Sequence, residues 1–169
     1  MITIRSELPE DAKEMFLIYV AAFGRFQEAA LVHSLRQNHG ILFSLAAVDN
    51  GGLVGGVVFS AITLEPALSS LHLAGLAPLA VLPSYQQQGI GSQLVRAGLR
   101  QCQETGFDAV FLVGDPDFYT RVGFVPASDF GIRCEFEVPE AYWLVKELRP
   151  QALSGLTALA RFRPEFQEL

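Results

Sequence analysis

The chain has 169 residues, with 12 Lys+Arg against 18 Asp+Glu, a formal net charge of −6 and an apolar share of 50%. A chain of this length suits one domain and buries about two thirds of its unfolded surface, and its apolar content excludes disorder. The longest apolar stretch, 73–82, is about half a membrane span and carries Gly75 and Pro78, and the acid excess, with Lys13 and Lys146 as the two lysines, argues against a nucleic-acid partner.

Residues 2–5 alternate and predict a short strand. Pro9, Glu10 and Asp11 open a helix, since proline suits the first helical position and carboxylates suit the positive end of the dipole. Ala12, Met15, Phe16, Tyr19, Val20 and Phe23 then follow helical spacing up to Gly24. A second helix over 27–37 puts Ala30, Leu31 and Leu35 on one face and stops before Gly40. Residues 43–48 and 53–62 are β-rich runs joined by Asp49-Asn50-Gly51-Gly52, a hairpin signal. A third run, 71–82, follows the loop containing Pro66. Residues 92–105 predict a helix with Leu94, Val95, Leu99 and Cys102 on one side and Gly106 as its stop. A buried strand over 109–113 leads to a short helical turn through Phe118 and Tyr119. Strands over 133–138 and 142–148 and a last one near 159–162 complete the chain. This order predicts an α+β (mixed α/β) fold, in which the crossover through 92–105 is right-handed and leaves two strands parallel.

Residues 79–92 read Leu-Ala-Val-Leu-Pro-Ser-Tyr-Gln-Gln-Gln-Gly-Ile-Gly-Ser. A strand ends at Pro83, a polar loop follows, and Gly89 and Gly91 open a helix. The first amides of a helix lack internal acceptors, and its dipole is positive there. Loop and helix together make an anion cradle fit for a pyrophosphate; the plainer alternative is a loop that needs two glycines to turn. A Rossmann fingerprint fails, because Leu94 stands where the third glycine belongs and six residues, 83–88, separate strand from glycine. A P-loop fails for want of Gly-Lys-Ser/Thr.

Gln86-x-x-Gly89-x-Gly91, behind Leu-Ala-Val-x-Pro, resembles the acetyl-CoA-binding motif of the GCN5-related N-acetyltransferases, the GNAT superfamily. About 30 residues on, Phe118-Tyr119-Thr120-Arg121-Val122-Gly123-Phe124 resembles that superfamily's Phe-Tyr-x-x-x-Gly-Phe. Gly114-Asp115-Pro116, with Val138-Pro139-Glu140 and Pro164-Glu165-Phe166 in the tail, extends the likeness to the YhbS-like branch and to essentially the whole chain.

The resemblance implies one acetyltransferase domain over 1–169. It also implies a central, mostly antiparallel sheet with a parallel strand pair splayed at the acyl-CoA site and helices on both faces. The backbone of Leu79, Ala80 and Val81 would pair with the pantetheine arm like an added strand. Gln86, Gln87, Gln88, Gly89, Ile90, Gly91 and Ser92 would bind acetyl-CoA, the amides across 87–92 holding its pyrophosphate. Tyr119 would be the general acid near the CoA sulfur. When an amine attacks a thioester, an oxyanion forms and a thiolate leaves. A phenol, protonated at neutral pH, can give that sulfur its proton. By composition alone Tyr119 reads as a half-buried core aromatic in a chain with 13 Phe.

Many relatives carry arginines where this chain has Gln86-Gln87-Gln88, so affinity here rests more on amides and the helix dipole. Arg96 and Arg100 either reach a CoA phosphate or face solvent. Asp117 is expected to cap the helix of Tyr119. The general base is open between Glu28, Glu65, His72 and water. The scattered His33, His39 and His72, with no CxxC or HExxH, give no metal site. Cys102 and Cys134 read as unpaired thiols, neither in a nucleophile setting. The expected activity is acetyl-CoA-dependent transfer to a primary amine by direct attack in a ternary complex, the alternative being a non-catalytic acyl-CoA-binding or sensing domain. A small-molecule amine or a peptide N-terminus is the expected acceptor, met by residues near 23–28, 65–70 and 130–143. A cytoplasmic location follows from an N-terminus without a signal-peptide run. Many relatives dimerise, so a homodimer is among the expected assemblies.

Overall fold

In chain order the elements are β1 (Ile2–Ser6), α1 (Ala12–Phe23), α2 (Gln27–Gln37), β2 (Ile41–Asp49), β3 (Gly52–Glu65), β4 (Leu73–Val81), α3 (Ile90–Glu104), β5 (Ala109–Val113), α4 (Pro116–Tyr119), β6 (Val125–Pro126), β7 (Ile132–Cys134), β8 (Trp143–Glu147) and β9 (Ala158–Arg161). They come from a computed structural model that describes residues 1–169. The strands run in the order β1-β2-β3-β4-β5-β8-β6, with β9 paired to β3 and β7. The sheet is mostly antiparallel and open, and β4 and β5 form the parallel pair, in register from Leu73↔Ala109 to Gly75↔Phe111. A second parallel pair, β7 with β9, has no counterpart among the sequence expectations. No helix is long and apolar enough to cross a membrane.

By contacts the chain divides into two units, one of Met1–Ser60, Ala77–Gly98 and Pro164–Leu169, the other of Ala61–Leu76 and Leu99–Arg163. In the first, Arg5 grips Asp11 through two hydrogen bonds of 2.6 and 3.2 Å, and Asp11 also accepts the Leu8 N–H at 2.7 Å. That guanidinium, with the Leu8 amide, holds the Asp11 carboxyl below its ordinary range, and the arrangement fixes the entry to α1. Met15, Ile18 and Tyr19 are the buried side chains of α1, and Gly56 on β3 leaves room for Met15. Phe23, expected on the buried stripe, is 40% exposed; it is the last residue of α1, and the chain turns away at Gly24, φ 67°. Phe59 stacks on Phe43 with ring centroids 4.5 Å apart.

In the second unit β5 is buried from Ala109 to Leu112 and pairs antiparallel with β8. Phe111 stacks on Trp143 at 5.2 Å, and the Trp143 indole N–H donates to the Ile132 carbonyl at 3.0 Å. Buried Asp108 accepts from the His72 amide at 2.8 Å and from Arg149 Nε at 2.9 Å. The strand expected over 133–138 stops at Cys134. Beyond it the Glu135 carboxylate takes over as acceptor for the Phe162 amide, so a side chain replaces the next rung of a ladder.

Candidate active site

The loop and helix start expected to make the cradle lie within the first unit. β4 alternates to its end, with Ala80 buried and Leu79 and Val81 half-buried. The Leu82 amide then donates to the Val54 carbonyl at 2.8 Å, fixing where the chain leaves the sheet. A 3-10 turn over Pro83–Tyr85 follows, and the Tyr85 hydroxyl donates to Asp49 at 3.3 Å, tying the loop to the β2–β3 hairpin. Gln87 and Gly89 take left-handed φ values of 62° and 82°. Such φ is costly for most residues and free for glycine. At Gly89 a side chain would meet nothing within 4 Å, so this glycine serves the turn and not a tight contact.

The helix begins at Ile90, two residues earlier than expected, because buried Ile90, Leu94 and Val95 anchor its first turns. Gly91 and Ser92 therefore lie in the first turn of α3, whose amides have no internal acceptors. Gln86, Gln87, Gln88 and Gly89 are exposed. The side chains of Gln86 and Gln88 turn inward on the loop itself: Gln86 donates to the Val81 carbonyl at 3.0 Å and Gln88 to the Ser84 carbonyl at 3.4 Å. Arg96 and Arg100 are both exposed on α3.

Tyr119 stands in the second unit. Gly114, just past β5, donates its N–H to the Tyr142 carbonyl at 2.9 Å. Asp115, not Asp117, is the N-cap of α4: its carboxylate accepts from the Asp117 amide at 2.9 Å, and Pro116 takes the first helical position. An acid two residues ahead of an N–H reaches it, whereas Asp117 is already inside the turn. The Tyr119 ring meets Phe118 edge-on at 4.8 Å and Phe124 at 5.6 Å. Phe124 is fully buried, and its amide donates to the Tyr119 carbonyl at 3.1 Å. Burial pushes the Tyr119 phenol up to about 12 from an ordinary 10.0, so it keeps its proton at neutral pH.

The base candidates are scattered. Glu28 is buried in the first unit and accepts two hydrogen bonds from Arg25, at 2.9 and 2.5 Å. Glu65, in the second, is held by Arg161 at 2.6 Å. His72 is exposed, its ring edge-on to Phe107 at 6.5 Å. Both thiols are free, and burial raises both, Cys102 to about 12. Thiols kept protonated are poor nucleophiles. The second unit also holds a cavity of about 400 Å³ bordered by Ile132, Cys134, Phe136 and Trp143, with Arg133 and Glu140.

Comparison with known proteins bears on both segments. The model of the Acetyltransferase (GNAT) family matches residues 6–124. The chain is 37% identical over 164 residues, 96% of its length and 97% of the relative's, to the uncharacterized N-acetyltransferase YhbS of Escherichia coli K12. It is 35% identical over 153 residues, 86% of its length and 84% of the relative's, to the uncharacterized N-acetyltransferase YjhQ of the same strain. The crystal structure of YhbS from Escherichia coli in complex with CoA matches with a TM-score of 0.94 at 36% identity, covering 98% of this chain and 92% of that one. A GNAT family acetyltransferase from Brucella melitensis in complex with acetyl-CoA matches with a TM-score of 0.81 at 29% identity, covering 98% of both chains. The family match takes in both the 83–92 loop and the 114–124 turn, and on these findings the chain belongs to the acetyltransferase (GNAT) family and is an acetyltransferase.

Proposed function

We propose that the protein is an acetyl-CoA-dependent N-acetyltransferase that moves the acetyl group to a primary amine by direct attack in a ternary complex, with residues 1–169 acting as one catalytic domain. The observation that carries this reading is the 83–92 loop, an exposed turn shaped by Gln87 and Gly89 that delivers backbone amides to the start of a 15-residue helix. A turn of this kind suits a pyrophosphate. In this reading the extended backbone of Leu79, Ala80 and Val81 carries the pantetheine arm. Gln87, Gln88, Gly89, Ile90, Gly91 and Ser92 present amides to the pyrophosphate. Gln86 contributes by holding the loop against Val81. Bound acetyl-CoA supplies the thioester.

Tyr119 then gives its phenolic proton to the sulfur as the C–S bond breaks and the new C–N bond forms. The amine's own proton leaves through water or His72, since Arg25 and Arg161 already occupy Glu28 and Glu65. The proton balance closes when solvent reprotonates the tyrosine. The cavity beside Phe136, Trp143 and Glu140 combines aromatic faces with a carboxylate, which suits a cationic amine or a peptide N-terminus.

Thermal unfolding with acetyl-CoA, with CoA and NADH beside it, tests the cradle. At 100 times the dissociation constant a ligand adds about 2.7 kcal/mol, roughly 5–11 °C in a chain of this size. A shift with both CoA species and none with NADH is expected. An unmoved midpoint in folded protein overturns the reading. A panel of primary amines then separates an enzyme from a sensor, which would show the shift and no turnover.

A further inference from the structure

We propose that Gly114 is a positioning residue for the Tyr119 phenol, because the ring occupies the space that a side chain at 114 would fill. The catalytic part of this inference rests on Tyr119 acting as the general acid. The φ of Gly114 lies outside the left-handed range, so no turn demands glycine there. What is missing is room. A Cβ would stand 2.5 Å from Tyr119 Cε2, 2.9 Å from its Cδ2 and 3.2 Å from Leu112 Cδ1. Packed carbon atoms sit about 3.5–4.0 Å apart, so one side or the other must move.

Neither side is loose. The Gly114 amide is fixed to the Tyr142 carbonyl at 2.9 Å, and Asp115 begins the cap of α4 at the next residue. The ring is held edge-on by Phe118 and Phe124, at 4.8 and 5.6 Å, and Leu112 Cδ1 crowds the place of a Cβ at 114 from another side. Cε2 is bonded to the ring carbon that bears the hydroxyl, so a push on that edge is carried directly to the oxygen. The motif Gly114-Asp115-Pro116 thus has two parts: Asp115 and Pro116 start the helix, and Gly114 sets where its tyrosine points.

Two measurements test this. In Gly114→Ala, kcat should fall by about tenfold to a hundredfold, the cost of misplacing a reacting group by about an ångström, while the acetyl-CoA thermal shift persists. In a Tyr119→Phe background the same change should cost little more, because the group being misplaced is already gone. The second measurement needs no activity. Gly114→Ala should lower the unfolding midpoint of the Tyr119 protein and lower that of Tyr119→Leu far less, since the shorter side chain vacates the places of Cε2 and Cδ2 and only the 3.2 Å approach to Leu112 Cδ1 is left. Equal midpoint losses in both backgrounds, or none in either, would overturn the competition between ring and Cβ. If the midpoints interact but Tyr119→Phe keeps full turnover, the general-acid reading is overturned instead, and the catalytic consequence of Gly114 with it.

Discussion

The loop at 83–92 and the turn at 114–124 both follow a strand, both lead into a helix and both contain glycine, but their glycines solve different problems. Gly89 has a left-handed φ and open space around it, whereas Gly114 has an ordinary φ and a ring pressed against it. The first segment is built from backbone: its exposed glutamines brace the loop through the Val81 and Ser84 carbonyls. The second is built from side chains, with three aromatic rings setting one another's positions. A loop shaped by its backbone tolerates changes in the side chains that do not brace it. A ring-built turn has no such tolerance.

The sharpest test of that contrast is Tyr119→Phe, which keeps the ring and removes only the donor. We expect kcat to fall by about a hundredfold, with acetyl-CoA affinity unchanged by isothermal titration; equal turnover would break the comparison on its chemical side. The pH profile sharpens the same point. In the proposed mechanism the protonated phenol is the working form, and burial raises its pKa to about 12. Its contribution is therefore full at neutral pH and lost only as pH rises through that value. A tyrosine-dependent fall in kcat centred near the ordinary 10.0 would contradict the burial seen here.

On the other side of the comparison, Gly89→Ala puts a side chain into a left-handed conformation at a cost of about 1–2 kcal/mol. The acetyl-CoA dissociation constant should rise by roughly fivefold to thirtyfold, with kcat at saturation affected far less. An unchanged affinity would mean that the turn does not shape the cradle. Smallest of the three, Gln86→Ala removes one neutral hydrogen bond, of order 1 kcal/mol, so the dissociation constant should rise by about fivefold. A loss as large as that from Tyr119→Phe would mean that the Gln86 side chain does more than hold the loop.

Much of the fold was legible because its signals are local. The span of α2 and the limits of β5 follow from periodicity and from the apolar run 109–113, and the β2–β3 hairpin from Asp49-Asn50-Gly51-Gly52. Where the structure differs from these expectations, a particular hydrogen bond or strand pairing decided. Cys134 ends β7 because Glu135 accepts the Phe162 amide 27 residues away, and the parallel pairing of β7 with β9 joins segments with no shared pattern. Asp115 and Asp117 look alike as caps until one is seen to accept the other's amide.

Residue order was enough for most elements, for the 83–92 and 114–124 segments and for the family they resemble, because spacing, turn chemistry and motif all act over a few residues; the two-residue β6 carried no such signal. Tyr119 and Tyr19 also differ in their surroundings, which residue order does not show. Both phenols are raised by burial, but the Tyr19 hydroxyl is sealed inside the first unit without a hydrogen-bond partner, and Tyr119 sits half-buried among rings at a strand end. Only the tertiary structure distinguished a glycine kept for its φ from one kept for its emptiness, or found the guanidinium groups on Glu28 and Glu65. The first difference is one of packing. The second is an ion pair: Arg161 and Glu65 stand 96 residues apart and share no pattern, while Arg25 and Glu28 stand three apart, a spacing that permits a pair without requiring one.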